Sequence, residues 1–132
     1  MSNRAWVHST MTGSATLAAQ VGTRIYQSTA LKEVPEIKPY VMYRYLADVP
    51  ELRGDDSSPV NRQAFMVMVH DYPGSYVKID TILQILKGLF RDVSDPDNDI
   101  IHCNWVDDSE DLRDDIMGTI VRWSRYRFLY KD

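Results

Sequence analysis

Gln63-Ala64-Phe65-Met66-Val67-Met68-Val69, running into His70-Asp71-Tyr72-Pro73-Gly74-Ser75 and then into an apolar stripe, decides the fold of this 132-residue chain. Side chains on a strand alternate between faces, so Phe65, Val67 and Val69 line one side and Ala64, Met66 and Met68 the other. Both sides are apolar, whereas an antiparallel sheet in a lone small domain keeps one face wet. The strand therefore needs cover from two directions. Helices of the same chain supply one cover, and either the N-terminal helices or a neighbouring subunit supplies the other. A central strand sandwiched within one chain is the alternative.

The turn at Tyr72 to Ser75 predicts a helix beginning near Tyr76, with Ser75 as its N-cap. Along it Ile79, Ile82, Leu83, Leu86, Leu89 and Phe90 recur at spacings of three and four, while Lys78, Asp80, Gln84 and Lys87 point elsewhere. This is the main packing helix, laid over Phe65 and Val67. Each of its apolar side chains, fully buried, contributes about 1.5–3 kcal/mol.

Working outward, Arg4 to Val21 reads as two short helical pieces broken at Thr12-Gly13-Ser14. Ser14 caps the second piece and Gly22 ends it. Thr23 to Gln27 is a short first strand. Tyr40-Val41-Met42-Tyr43-Arg44-Tyr45-Leu46, bracketed by Pro39 and Pro50, is a second, and Asp48 to Pro59 a long exposed loop. Past the helix, an acidic loop from Asp92 to Asp99 leads to a strand at Ile100 to Val106, with Ile101, Cys103 and Trp105 on one face. Asp107 to Asp115 is an acidic connector, and Thr119 to Tyr130 a long last strand. The expected class is α+β: a twisted, mostly antiparallel sheet of roughly four to five strands, with a main amphipathic helix and short N-terminal helices packed on it. The length fits one domain over residues 1–132.

Hydrophobic residues make up 44% and charged residues 26%, ordinary globular values. No apolar run reaches the length of a membrane span, so a soluble protein without a membrane partner is expected. Met1 to His8 lacks the apolar core of a secretory signal, which points to a chain that stays in the cytoplasm where it is made. A single cysteine, Cys103, permits no internal disulfide. The net charge is −4, with acids concentrated from Asp92 to Asp115 against Arg113 alone, which argues against nucleic-acid binding there. Arg122, Arg125, Arg127 and Lys131 follow. An acidic segment before a basic strand suits head-to-tail contacts between copies. Solvated charge on ordinary faces is the competing reading.

Few groups promise chemistry. Asp95-Pro96-Asp97-Asn98-Asp99 imitates the start of a calcium loop, but Ile100 stands where glycine is required and Val106 where a bidentate glutamate is required. His70 and Asp71 point to opposite strand faces, as do His102 and Cys103, so neither neighbouring pair forms a nucleophile with its base. His70 reads as a strand-end residue and Cys103 as a small buried hydrophobe. Arg53-Gly54-Asp55 matches an adhesion tripeptide by chance. Tyr43, Tyr45, Trp123 and Tyr126 are candidates for base stacking, but the acidic balance opposes it, and no sequence-specific nucleic-acid binding is expected. No phosphate loop, nucleophile elbow or metal-spaced set of cysteines and histidines occurs, so no catalytic residue, metal or cofactor is expected.

The order of elements is more specific than the chemistry. Arg24-Ile25-Tyr26, then Pro39-Tyr40-Val41, a long variable loop, and Gln63-Ala64-Phe65 leading to His70-Asp71-Tyr72-Pro73-Gly74-Ser75-Tyr76 before a helix resembles the tail terminator, or tail completion, family of long-tailed bacteriophages. Trp105, Ser109, Asp111-Leu112, Asp114-Asp115, then Arg122 and Tyr126-Arg127-Phe128 on the last strand are similar to the closing half of those proteins. The resemblance spans Thr23 to Tyr130, although the N-terminal segment is shorter and more interrupted than the family's helix. It implies a non-enzymatic virion subunit, made in the host cytoplasm, that assembles into a hexameric homo-oligomeric ring. Such a ring caps the head-proximal end of the tail tube, stops its polymerisation and presents a surface to the neck. The implied partners are the major tail protein and a head-closure protein. A different neck or head-closure ring protein is the alternative, and a small hydrolase using His70 or His102 a further one. For the ring, Arg122, Arg125 and Arg127 are expected to face Asp107, Asp108, Asp114 or Asp115 of a neighbour, with Met66 and Met68 also at the interface. The loop carrying Glu51, Leu52, Arg53, Asp55 and Asp56 is expected to touch the tube or neck.

Overall fold

The fold was obtained as a computed structural model, which describes residues 3–28, 33–52 and 60–131. Its elements follow the order α1 (Asn3–Thr12), α2 (Ala15–Val21), β1 (Ile25–Gln27), β2 (Tyr40–Leu52), β3 (Val60–Asp71) and α3 (Val77–Phe90). β4 (Val93–Asp95), a 3-10 turn (Pro96–Asn98), β5 (Ile100–Asp108), β6 (Leu112–Asp114) and β7 (Thr119–Lys131) complete it. The strands form one sheet in the order β1-β2-β3-β7-β5-β4, and β6 also pairs with β7. Every pairing is antiparallel except that of β1 with β2. The expected α+β class and mostly antiparallel sheet are present. The sheet has seven strands, more than expected, because β4 and β6 arise inside the acidic stretches that composition marks only as loops.

β7 organises the sheet. Its 13 residues pair with β3 from Ile120 to Lys131 on one edge; on the other, β5 takes Ser124 to Tyr130 and β6 takes Thr119 to Val121. The β-branched and aromatic residues that fill it suit this central position.

One face of the sheet carries the core. Phe65, Val67 and Val69 are fully buried there with Val41, Tyr126 and Phe128, under Ile79, Ile82, Leu83, Leu86 and Phe90 of α3. Leu89 packs at the margin. Trp6, Val7, Met11, Leu17 and Val21 of the two N-terminal helices join the same cluster, with the Trp6 ring 5.8 Å from Phe90 and 5.5 Å from Phe128. All three helices thus lie on one side of the sheet. Of the two expected covers for Met66 and Met68, the N-terminal helices are not the one.

Local signals explain the ends. Ser14 caps α2 by accepting a hydrogen bond from the Leu17 amide at 3.2 Å, and Gly22 closes it at φ 59°, where a side chain is disfavoured. At α3 the cap lies one residue later than expected, at Tyr76; the Ser75 hydroxyl accepts instead from the Val77 amide at 3.2 Å. Proline does not end β2. The strand continues past Pro50, whose position pairs with Asn61, and register shifts at Tyr45/Asp48 and Pro50/Leu52 absorb the irregularity. Bulges accommodate proline in just this way. Of the expected loop at Asp48 to Pro59, the part up to Leu52 therefore belongs to β2, and residues 53–59 lie outside the described residues. A second shift, between Ile100 and His102, reverses the expected faces of β5: Ile100 is buried, Ile101 exposed, and Cys103 and Trp105 keep to the core side.

Candidate functional site

The side of the sheet away from the helices is built from the alternate positions of the same strands. Register sets its rows. Met42 pairs with Met68 and Met68 with Trp123; Arg44 pairs with Met66, Met66 with Arg125, and Arg125 with Asp107; Ala64 pairs with Arg127 and Arg127 with Asn104. Met42, Met66, Met68 and Trp123 are half-buried, while Arg44 and Arg127 are exposed. The result is a thioether and indole strip edged by guanidinium groups. Methionine and tryptophan form adaptable, high-area contact surfaces, and arginine is favoured at interfaces for its planar donors. Sequence reasoning found Met66, Met68, Arg125 and Arg127 but missed Met42 and Arg44, although their alternation with Tyr43 and Tyr45 carried the signal. It weighed Trp123 only for base stacking.

The charged residues expected at an interface divide between the faces. Arg125 pairs with Asp107 of its own chain through two bonds, Nε to Oδ1 at 2.9 Å and Nη2 to Oδ2 at 2.6 Å, with its guanidinium 5.8 Å from the Trp123 ring centroid. Arg122 has the other parity and reaches the helix side, bonding Asp80 of α3 at 2.5 Å and donating to the Ser109 carbonyl at 3.0 Å. Asp108 likewise faces the helix side and accepts from Lys87 at 2.6 Å, Ser124 at 2.6 Å and Trp105 at 2.9 Å. Burial raises its carboxyl pKa, but those donors outweigh it and hold the group below the usual carboxylate range. These pairs therefore already serve the fold within one chain. Arg127 has no ion pair among the described residues.

Asp114 ends β6, and Asp115 opens the turn that leads to β7. Asp114 accepts from the Ile116 and Met117 amides at 3.1 and 2.9 Å, and Asp115 stands 3.7 Å from Arg113 with both side chains largely solvated. Held by these bonds, Ile116 is 92% exposed. Ile37, Tyr72 and Val77 are also exposed. They occupy the approach to β2, the end of β3 and the start of α3, and so share the end of the sheet with Ile116. Sequence reasoning missed Ile116, whose signal was a β-branched side chain placed in a turn. At the opposite end, Glu51 and Leu52 belong to the backbone of β2, while Arg53, Asp55 and Asp56 lie outside the described residues.

The candidate nucleophiles and bases are sealed or dispersed. His70 is 3% and Thr119 1% exposed, with Nδ1 and Oγ1 2.8 Å apart, and the imidazole stacks on Tyr40 at 4.9 Å. Burial lowers the His70 pKa to about 4, a nearby Asp114 opposing and Lys38 adding to the shift. Cys103 is fully buried, which pushes its thiol up to about 12, so the reactive thiolate is suppressed. His102 lies at the other end of β7 from His70, 3.3 Å from Asp92. Tyr43 and Tyr126 are buried on the core side, which leaves their rings no face for a base, and half-buried Tyr45 donates its hydroxyl to the Arg4 carbonyl with the Arg4 guanidinium over its ring, 4.8 Å from the centroid. In the run that imitates a calcium loop, Asp95 accepts from Asn98 Nδ2 at 2.9 Å and Trp6 Nε1 at 3.0 Å. That carboxylate ties α1 to the 3-10 turn.

No protein-family model matches the chain, and no curated protein matches it. Among solved structures it is similar to a chain from the virion of a native gene transfer agent particle, with a TM-score of 0.76 over 99% of this chain and 96% of that one, at 14% identity. The likeness shows a shared fold over the full length of both.

Proposed function

We propose that the chain is a structural virion protein, a tail terminator. It forms a hexameric ring that closes the head-proximal end of a tail tube and joins it to the neck. The observation that carries this reading is the end-to-end correspondence of fold with a virion chain, to which the order of sequence elements adds the family. A half-buried strip of methionine and tryptophan beside arginines that make no ion pair among the described residues, on a sheet with its three described helices on the other side, supports association with a further copy. In this reading the action is contact and not catalysis, and the chain needs no cofactor. The hairpin end bearing Glu51, Leu52, Arg53, Asp55 and Asp56 meets the tube or neck. The test is to mix purified protein with tail tubes and image them by negative stain. A ring on one end of each tube, with tube growth arrested, is the expected result. Protein that ignores tubes but binds capsids bearing a head-closure complex identifies a neck component instead and overturns the terminator role.

A further inference from the structure

We infer that the Ile116 turn of one copy docks onto the Met42–Met68–Trp123 strip of the next. This contact rests on the ring reading and supplies its two complementary surfaces. The turn is a preformed knob: Asp114 ties down the Ile116 and Met117 amides and leaves Ile116 92% exposed. Rigid projection of a large apolar side chain into water lowers the ordering cost of a later contact. The strip is the matching receptor, half-buried and apolar, with thioethers able to mould around a branched side chain. Charge agrees with shape. Asp115 beside the knob is solvated apart from a long 3.7 Å approach to Arg113, and Arg44 and Arg127 edge the strip without ion pairs among the described residues. Opposite charges at the rim set register and steer encounter.

The contact joins different surfaces of two copies, so it is heterologous, and an open assembly keeps one free knob and one free strip at its ends until it closes. Asp115 pairs with Arg44 of the next copy. Arg125 stays with its own Asp107 and forms part of the strip's wall.

Disulfide trapping tests the pairing directly. A copy carrying Ile116→Cys is mixed with one carrying Met68→Cys under mild oxidation; Cys103 is buried and does not compete. The 116–68 cross-link is expected to form well ahead of 116–116, 68–68 and a control pairing Ile116→Cys with Thr81→Cys on the exposed side of α3. Equal yields across these pairs overturn the inference. In parallel, Ile116→Asp should weaken self-association about tenfold or more in sedimentation, with an unchanged circular dichroism spectrum. Asp115→Arg should weaken it too, and mixing with an Arg44→Asp copy should restore it. Wild-type oligomers that survive Ile116→Asp unchanged also refute the surfaces while leaving the ring intact. Loss of association in that variant, alongside wild-type protein that never caps a tube, keeps the surfaces and removes the terminator role.

Discussion

His70 shows how much a single position depends on partners distant in sequence. Its place at the end of a strand follows from the alternation before it, but its burial comes from Tyr40 on β2 and Thr119 on β7, which no local pattern connects to it. The consequence is a pH dependence of stability. An unfolded histidine titrates near its ordinary value of 6.5, whereas burial in the fold, with Lys38 adding to it and Asp114 opposing, holds His70 at about 4. Between those values the unfolded chain binds the extra proton, so stability falls as pH drops through this window, by about 3 kcal/mol across its full width. Urea unfolding from pH 7 to pH 4.5 should show this decline, and His70→Gln should flatten it; an unchanged slope would place the proton-sensitive group elsewhere. Cys103 was easier to read, since a lone cysteine that shares a strand face with Trp105 is more often packed than reactive. With its thiol pushed up to about 12, it should react with a thiol reagent only as fast as the protein opens, and at the rate of a free thiol in denaturant.

At the scale of elements, helical periodicity was the most legible signal. Every apolar position marked on α3 packs against the core, Leu89 at its margin, because a helix laid on a sheet has a single way to bury a stripe. Leu86→Ala removes a fully buried side chain and should cost about 2–5 kcal/mol in denaturant unfolding. Gln84→Ala, on the exposed side of the same helix, should stay within about 0.5 kcal/mol. Equal losses would mean the stripe is not the packed face. Strands were legible at their centres and illegible at their irregularities. β2 runs past Pro50 and β5 changes faces at Ile100/His102 because bulges depend on what the partner strand presents, which a one-dimensional alternation does not contain. β4 and β6 escaped for a related reason: three-residue strands set in acidic stretches exist because β5 and β7 offer them edges. Arg122 and Arg125 differ in parity, so they could not share a surface, and that was readable from β7 itself.

For the molecule as a whole, the apolar second face of β3 was legible from seven residues, while what covers it was not, because periodicity shows that a face is apolar and not what lies against it. The covered face makes its own prediction. α1, α2 and α3 share one buried cluster with β1, β2, β3, β5 and β7, and β7 stitches β3 to β5 and β6, so no group of elements has a core of its own to survive on. The expectation of one domain then becomes an expectation of one transition. Trp6 sits under the helices, Trp105 against Lys87 at the margin of α3, and Trp123 on the open face. Three variants retaining one tryptophan each report on these places separately. Their fluorescence midpoints in urea, at concentrations too low for association, should coincide with the far-ultraviolet dichroism midpoint of the same variant. A Trp6 transition that precedes the others would detach the N-terminal helices as an independent unit, and a Trp123 transition that does so would mean that the open face frays without its neighbour. At higher concentration the midpoint should rise, since a partner that binds only the folded state stabilises it by mass action, and the Ile116→Asp variant should lose that rise while keeping the coincidence.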